Sequence, residues 1–189
     1  IILASKSKVR KKILAENGIN CIVEPANIDE EAIKLNMLNQ KASPEIISKS
    51  LAELKANKIS IKKNEEIVLG ADSIIDLNGE IISKPSNRKE ALEILKKLNG
   101  KKHYLISSAC ISKNGSMIWH HTDKAELTMK KMSLEELSSY LKKIKDEALY
   151  AYNVYQIEGE GKNLFLKIEG DKNTIMGLPI KEIKNYLKN

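Results

Sequence analysis

The chain is built from short apolar runs separated by segments with helical periodicity. The runs IILA, NCIVE, EIVLG and NLFLKIEG are typical of strands. The stretch HYLISSACIS, then KNGS, then MIWHHTDKAELTM predicts a long hairpin. A second hairpin is predicted for SIID and EIIS, because Asn78-Gly79 between them favours a tight turn.

Helices are predicted wherever an N-cap signal precedes apolar residues at helical spacing and a glycine or loop follows. They comprise VRKKILAENG ended by Gly18, a segment from Asp29 to Gln40, a long helix opened by Ser43-Pro44, ALEILKKLNG opened by Asn87 with Glu90 and ended by Gly100, a helix from Ser133 to about Lys145, and the final IKEIKNYL. Loops are predicted for IEGEG and DKNTIMGLP.

Strands and helices mix without strict βαβ alternation, which indicates an α/β protein with a mixed, twisted sheet. The 189 residues contain no repeats and no low-complexity linker. We therefore expect a single domain over residues 1–189 rather than two independently folding units.

The net charge of +7 suggests an anionic partner. Many lysines alternate with glutamates, as in KEALEILKK, which is typical of solvated helix faces. A basic nucleic-acid-binding module is an alternative, but one Phe and one Trp offer little stacking surface, so we expect no nucleic acid partner. A steep salt dependence of polynucleotide binding would support that alternative.

No apolar run approaches the roughly 20 residues of a membrane span, so we expect no membrane association. Cys21 and Cys110 are lone cysteines without CxxC spacing. Two thiols of this kind fit a reducing compartment and small core positions. The sequence therefore predicts a cytoplasmic protein.

The first candidate site is the segment SKSKVR, which follows the first predicted strand. A helix that begins there offers free backbone N–H groups and its positive dipole end, and Ser5 or Ser7 can cap it. Arg10 can contact two phosphate oxygens at once. The segment lacks the glycines and the Lys-Ser/Thr pair of a Walker A loop. Phosphate binding and a plain basic first turn both remain open.

The second candidate is Asp72 in GADS, which we expect at the carboxyl end of a strand. Such a carboxylate could hold Mg²⁺ or orient a water molecule, although a turn aspartate bonded to its own backbone is as compatible. Lys84 in ISKP should lie near Asp72 across the predicted hairpin. The two could form an ordinary ion pair, or Lys84 could neutralise a phosphate. Lys55 in LAELKA is ambiguous in the same way.

Together these segments resemble the Maf-like nucleoside triphosphate pyrophosphatases, known also as septum formation inhibitors, over nearly the whole chain. The family's Leu-Ala-Ser-x-Ser-Pro-Arg-Arg, Leu-Ala-x-x-Lys-Ala and Gly-Ala-Asp-Thr segments correspond to LASKSKVR, LAELKA and GADS. The family's Asp-Glu pair, Gly-Lys-Pro, Gly-x-Gly and Gly-Leu-Pro correspond to Asp29-Glu30, Ser83-Lys84-Pro85, Gly159-Glu160-Gly161 and Gly177-Leu178-Pro179.

The resemblance implies hydrolysis of a nucleoside triphosphate to the monophosphate and pyrophosphate with a divalent cation, Mg²⁺ or Mn²⁺. It implies an inosine-triphosphatase-like fold, in which an elongated mixed sheet is flanked by helices and a central cleft separates two lobes. Family members often form homodimers. By correspondence, Asp72 is the proton acceptor or metal-associated carboxylate. The residues implied to line the phosphate site, with Glu30 as a helper carboxylate, are Ser7, Arg10, Lys55 and Lys84.

Three positions tied to substrate choice in the family depart from its pattern here. Val9 stands where one subfamily has Arg, associated with thymidine and uridine triphosphates, and another has Trp, associated with 7-methylguanosine triphosphate. Ser73 stands where the pyrimidine group has Thr, and Glu158 where the family has Gln. A carboxylate only accepts hydrogen bonds, so Glu158 should favour guanine or cytosine over thymine.

A non-catalytic nucleotide-binding regulator of septum formation is the alternative function. The presence of Asp72 together with Lys55 and Lys84 opposes it, because binding alone does not obviously require a carboxylate among the cations.

Overall fold

The computed structural model describes residues 1–188, except for the side chains at 151 and 152. Its strands form one sheet and are β1 (Ile2–Leu3), β2 (Ile22–Val23), β3 (Val68–Leu77), β4 (Glu80–Ile82), β5 (Lys102–Lys113), β6 (Ser116–Met129) and β7 (Phe165–Glu169). Its helices are α1 (Lys8–Glu16), α2 (Glu30–Asn39), α3 (Pro44–Ser60), α4 (Arg88–Leu98), α5 (Leu134–Lys143), α6 (Asp146–Tyr152), α7 (Lys172–Ile175) and α8 (Ile180–Lys188).

The sheet is mixed and runs in the order β2-β1-β3-β5-β6-β7, with β4 beside β3. The strand β1 is parallel to both β2 and β3, whereas the remaining pairs are antiparallel. The long hairpin of β5 and β6 is confirmed. The α/β class with a mixed sheet flanked by helices is therefore confirmed. Within residues 1–188, no helix is both long and apolar enough to cross a membrane.

The predicted N-cap residues of four helices are confirmed. Ser7, Ser43 and Ser133 cap α1, α3 and α5, and Ser133 forms a full capping box with Glu136. Asn87 caps α4, but the Glu90 carboxylate accepts from Ser86 N and Oγ and not from the Asn87 backbone N–H, so the predicted capping box does not form. The segment between α5 and the IEGEG loop also contains α6, which the sequence did not predict because its N-cap residue, Lys145, offers no side-chain cap. The predicted loop DKNTIMGLP contains the single-turn α7.

The prediction of two separate strands around GADS is wrong, because β3 runs without interruption through Gly70 and Asp72. Gly70 does not break the strand. A Cβ at this position would lie 2.0 Å from the Ala52 carbonyl oxygen, so glycine allows α3 to pack directly against β3. Asp72 consequently lies in the middle of a strand and not at its carboxyl end.

The side chains of β3 divide the core into two lobes on one face of the sheet. Leu69 and Ala71 belong to an apolar cluster with α1 and α8, and Ile75 and Leu77 belong to a second cluster with α4 and α5. Ser73 lies between the two clusters on the same face, because side chains alternate along a strand. The opposite face of β3 packs against α3.

Acidification is expected to destabilise the fold through His103, which is fully buried in the α4–α5 lobe. Burial lowers the pKa of His103 to about 4 from an ordinary 6.5, so the unfolded chain takes up a proton at a higher pH than the folded chain. Stability due to neutral His103 is thus present above pH 6.5 and is lost as the pH falls toward 4. Between pH 7 and pH 5 the free energy of unfolding should fall by about 2 kcal/mol.

Urea unfolding of His103→Gln at the two pH values tests this expectation, with the exposed His120→Gln as the matched control. In the His103 variant, most of the fall in the free energy of unfolding between pH 7 and pH 5 should disappear. The His120 control should show the same fall as the wild-type protein. Equal pH dependence in both variants would rule out His103 as the source.

Candidate active site

The candidate site lies at a gap along one edge of β3. The strand β1 borders β3 only at Val68–Leu69, and β4 borders β3 only at Ile75–Leu77, so residues 70–74 have no strand partner on that edge. The chain leaving β1 and the chain leaving β4 both run toward this gap. A cleft of about 1070 Å³ opens there, and its lining includes the predicted phosphate-site residues Ser7, Arg10, Glu30, Lys55, Asp72 and Lys84.

A buried lysine joins two carboxylates in the cleft. The Lys55 Nζ atom lies 2.8 Å from Asp72 Oδ1 and 2.9 Å from Glu30 Oε1. The Lys55 and Asp72 side chains are 8% and 5% exposed, whereas Glu30 is 40% exposed. Lys55 is therefore not an ordinary solvated helix lysine, because its ammonium lies between two carboxylates and is shielded from solvent.

The second oxygen of Asp72 is unusual. Asp72 Oδ2 is buried and has no hydrogen-bond partner among the described residues. Burial raises the pKa of Asp72 above its ordinary value, against the attraction of Lys55 and Arg10. Burial also acts to raise the pKa of Glu30, but Lys55, Lys34 and Arg10 together outweigh it and that pKa is lowered. Asp72 is therefore the stronger base of the two, with one oxygen ready to accept a proton, a water molecule or a cation.

Among the described residues, the hydrogen-bond acceptors of the Arg10 guanidinium are all neutral. Its Nε donates to the Gly177 carbonyl oxygen at 2.8 Å, Nη1 to Ser5 Oγ at 3.2 Å and Nη2 to Ser73 Oγ at 3.0 Å. These contacts use three of five N–H groups and no hydrogen-bonded carboxylate. Burial lowers the pKa of Arg10, opposed by attraction to Asp72 and Glu30. The guanidinium is thus held in a fixed orientation, with no carboxylate hydrogen-bonded to it and two further N–H donors for an anion.

Basic side chains outnumber acidic ones in the lining of the cleft. Burial, together with repulsion from Arg10 and Lys55, lowers the pKa of Lys84, so an anion in the cleft would stabilise its charged form. Seven basic and four acidic side chains line the cleft, namely Lys6, Lys8, Arg10, Lys34, Lys55, Lys84, Lys145, Glu30, Glu31, Asp72 and Glu147. The excess of positive charge suits a polyphosphate better than a neutral ligand.

The predicted specificity residues lie in different surroundings. Val9 and Ser73 line the cleft, and Glu158 is not among its lining residues. The Glu158 carboxylate instead lies 2.9 Å from Lys172 Nζ and 3.8 Å from Lys12 Nζ, which connects α1 with α7. The neighbouring Gln156 does line the cleft, although the sequence did not single it out.

Two further polar residues at the site also escaped sequence-based prediction. Asn153, with φ of 70°, lines the cleft and donates to the Ser83 carbonyl oxygen at 3.3 Å beside Lys84. Ser107 pairs with Ser73 across β3 and β5. Asn is one of the residues that adopt positive φ most readily, so a turn signal existed for Asn153, whereas nothing in HYLISSACIS distinguished Ser107 from other strand serines.

Fold and site together define an α/β protein with a cleft that carries an excess of basic side chains around one buried carboxylate. The chain belongs to the Maf family, since the family model described as "Maf-like protein" matches residues 1–189. The resemblance inferred from the sequence motifs is thereby confirmed.

Three relatives match over nearly the full length. A nucleoside triphosphate pyrophosphatase of Pelagibacter ubique is 71% identical over 188 residues, which cover 100% of this chain and 96% of the relative. One of Ruegeria sp. is 40% identical, covering 99% and 94%. A 7-methyl-GTP pyrophosphatase of Brucella abortus is 37% identical, covering 95% and 90%.

Among solved structures, the Staphylococcus aureus Ham1 protein matches with a TM-score of 0.34 and 14% identity, covering 68% of this chain and 69% of that one.

Proposed function

We propose that this protein is a nucleoside triphosphate pyrophosphatase, a hydrolase that cleaves the α–β phosphoanhydride bond to give the nucleoside monophosphate and pyrophosphate. The observation that carries the proposal is the buried Lys55–Asp72 pair inside a cleft with Arg10 and Lys84. The full-length relatives named as pyrophosphatases support it.

The residues have complementary tasks in this reaction. Attack of water at the α-phosphorus needs positioning and positive charge where the pyrophosphate leaves. Arg10, Lys55 and Lys84 supply that charge, and Ser7 together with the amino end of α1 contacts phosphate oxygens. Asp72 Oδ2 accepts a proton from the attacking water, and its raised pKa suits that task.

The donor set also fits a divalent cation. The described residues hold no group of three or more His, Cys, Asp or Glu side chains that could bind a metal alone. Mg²⁺ commonly uses one or two carboxylates together with substrate phosphates, and Asp72 with the half-exposed Glu30 can provide the carboxylates. When bound, the cation would neutralise phosphate charge. The choice between Mg²⁺ and Mn²⁺, the homodimer and the cytoplasmic location stay predictions.

Product analysis over a panel of canonical and modified nucleoside triphosphates, with Mg²⁺, with Mn²⁺ and with neither, tests the proposal. We expect equimolar monophosphate and pyrophosphate from at least one member. A folded protein that binds nucleotides and releases no pyrophosphate would instead support the non-catalytic regulator. Tight, steeply salt-dependent binding of polynucleotides would support the nucleic-acid module.

Base selection is expected to respond to Gln156 more strongly than to Glu158. Gln156 lines the cleft and its side-chain amide has no hydrogen-bond partner among the described residues, whereas the Glu158 carboxylate pairs with Lys12 and Lys172. An amide both donates and accepts, but a carboxylate only accepts. Gln156→Glu should therefore raise the kcat/KM ratio of GTP over dTTP by about tenfold, the size of one mismatched hydrogen bond.

Glu158→Gln is the matched exchange two residues away, and it should change the same ratio by less than about threefold. The opposite pattern, with a large shift only in the Glu158 variant, would uphold the sequence-based prediction that Glu158 faces the base. Val9 and Ser73 line the cleft and stay proposed contributors to specificity.

A further inference from the structure

A chain of hydroxyl groups leads from Arg10 into the core. Arg10 Nη2 contacts Ser73 Oγ at 3.0 Å, Ser73 Oγ contacts Ser107 Oγ at 2.8 Å, and Ser107 Oγ contacts the Thr174 carbonyl oxygen at 2.7 Å. Thr174 in turn donates from Oγ1 to Asp123 Oδ2 at 2.6 Å. Ser73, Ser107 and Asp123 lie opposite one another on the adjacent strands β3, β5 and β6.

The direction of every hydrogen bond in this chain is determined. A guanidinium only donates and a carbonyl only accepts, while a serine has one proton to give. Ser107 gives its proton to the Thr174 carbonyl, so it must accept from Ser73. Ser73 consequently points its proton away from Arg10 and presents lone pairs to the guanidinium.

Solvent has no access to the inner end of this chain. Ser107 and Thr174 are both fully buried. The turn after α7 packs against Arg10, because the Gly177 carbonyl oxygen accepts a hydrogen bond from Arg10 Nε. The same turn also packs closely against Ser73, since a Cβ on Gly177 would lie 3.2 Å from Ser73 Oγ. Asp171 caps α7 and Asp123 holds Thr174, so the acceptors around Arg10 are anchored at several points.

We propose that Ser107 is a positioning residue which, through Ser73, fixes the orientation in which Arg10 meets the substrate's phosphate groups. Ser107 is absent from the cleft lining, so it acts without touching substrate. Without its acceptor oxygen, the Ser73 hydroxyl rotates and the guanidinium loses a fixed partner. The proposal rests on the proposed function, because it assigns Arg10 to phosphate binding.

Two readouts test the proposal: kcat/KM for the best nucleoside triphosphate, and the Kd of inorganic pyrophosphate, which needs no turnover. Ser107→Ala should weaken both about tenfold, the cost of a buried hydrogen-bond network with one partner removed. Ser107→Thr retains the hydroxyl and should recover most of the loss. Ser112→Ala is the matched control, since Ser112 is equally buried on β5 and donates to Asn57 Oδ1, away from Arg10.

A double-mutant cycle identifies the route of the effect. If Ser107 acts through Arg10, Ser107→Ala should add little to the loss already caused by Arg10→Lys. Additive losses, or equal losses in Ser107→Ala and Ser112→Ala, would overturn the proposal while leaving pyrophosphatase activity in place. Wild-type protein that neither hydrolyses a triphosphate nor binds pyrophosphate would overturn both the positioning role and the proposed function.

Discussion

Asp72→Asn is expected to lower kcat for pyrophosphate release at least about 100-fold, because an amide cannot take the proton that the carboxylate accepts from water. The substitution is nearly isosteric, and an amide oxygen can still accept from Lys55, so the fold should remain intact. Steady-state release of pyrophosphate measures the loss, and circular dichroism verifies folding.

Asp76→Asn is the matched control for this experiment. Asp76 lies on the same strand, is similarly buried and accepts from Gly79 N in the β3–β4 turn, outside the cleft lining. It should retain near-normal turnover. Near-normal turnover in Asp72→Asn would remove Asp72 from the role of proton acceptor.

Lys55→Met is expected to abolish activity and also to destabilise the fold by about 3 kcal/mol. Removing one partner of a buried ion pair leaves an uncompensated charge, and here Asp72 and Glu30 would both lose their common cation. Urea unfolding at pH 7 measures the stability loss. Adding Asp72→Asn to Lys55→Met removes the stranded carboxylate, so the double variant should regain stability but not activity.

Lys58→Met controls for loss of a helix lysine, since Lys58 follows one turn later on α3 and, within residues 1–188, donates to the Asn27 carbonyl oxygen and to no carboxylate. It should be active and close to wild type in stability. A Lys55 variant as stable as the Lys58 variant would contradict the electrostatic account of the pair.

Local signals predicted most of the fold. Helix caps and strand alternation depend on neighbours in sequence, so they can be predicted without a structure. The caps Ser7, Ser43 and Ser133 and the apolar alternation of β5 and β6 are examples. The strand boundary predicted at Gly70 is wrong, because glycine is required there by the close approach of the Ala52 carbonyl oxygen, which is distant in sequence. The helix α6 lacks a side-chain cap, so no local signal marked its start.

The candidate site divides in the same way. Motifs in order along the chain pointed to Arg10, Lys55, Asp72 and Lys84, and the cleft brings these residues together. The hydroxyl chain through Ser107 was not predictable, because its links join residues 34 to 67 positions apart and carry no charge or motif. The salt bridges of Glu158 with Lys12 and Lys172 were also not predictable, since no motif in the sequence distinguishes these two lysines from the others.

Hydrolysis in ¹⁸O-labelled water tests the central claim most directly. The account predicts that wild-type protein, with its best nucleoside triphosphate, places one labelled oxygen on the monophosphate and none on the pyrophosphate, because water attacks the α-phosphorus within the cleft of Arg10, Lys55 and Lys84. Label in the pyrophosphate, or release of diphosphate and inorganic phosphate, would contradict it.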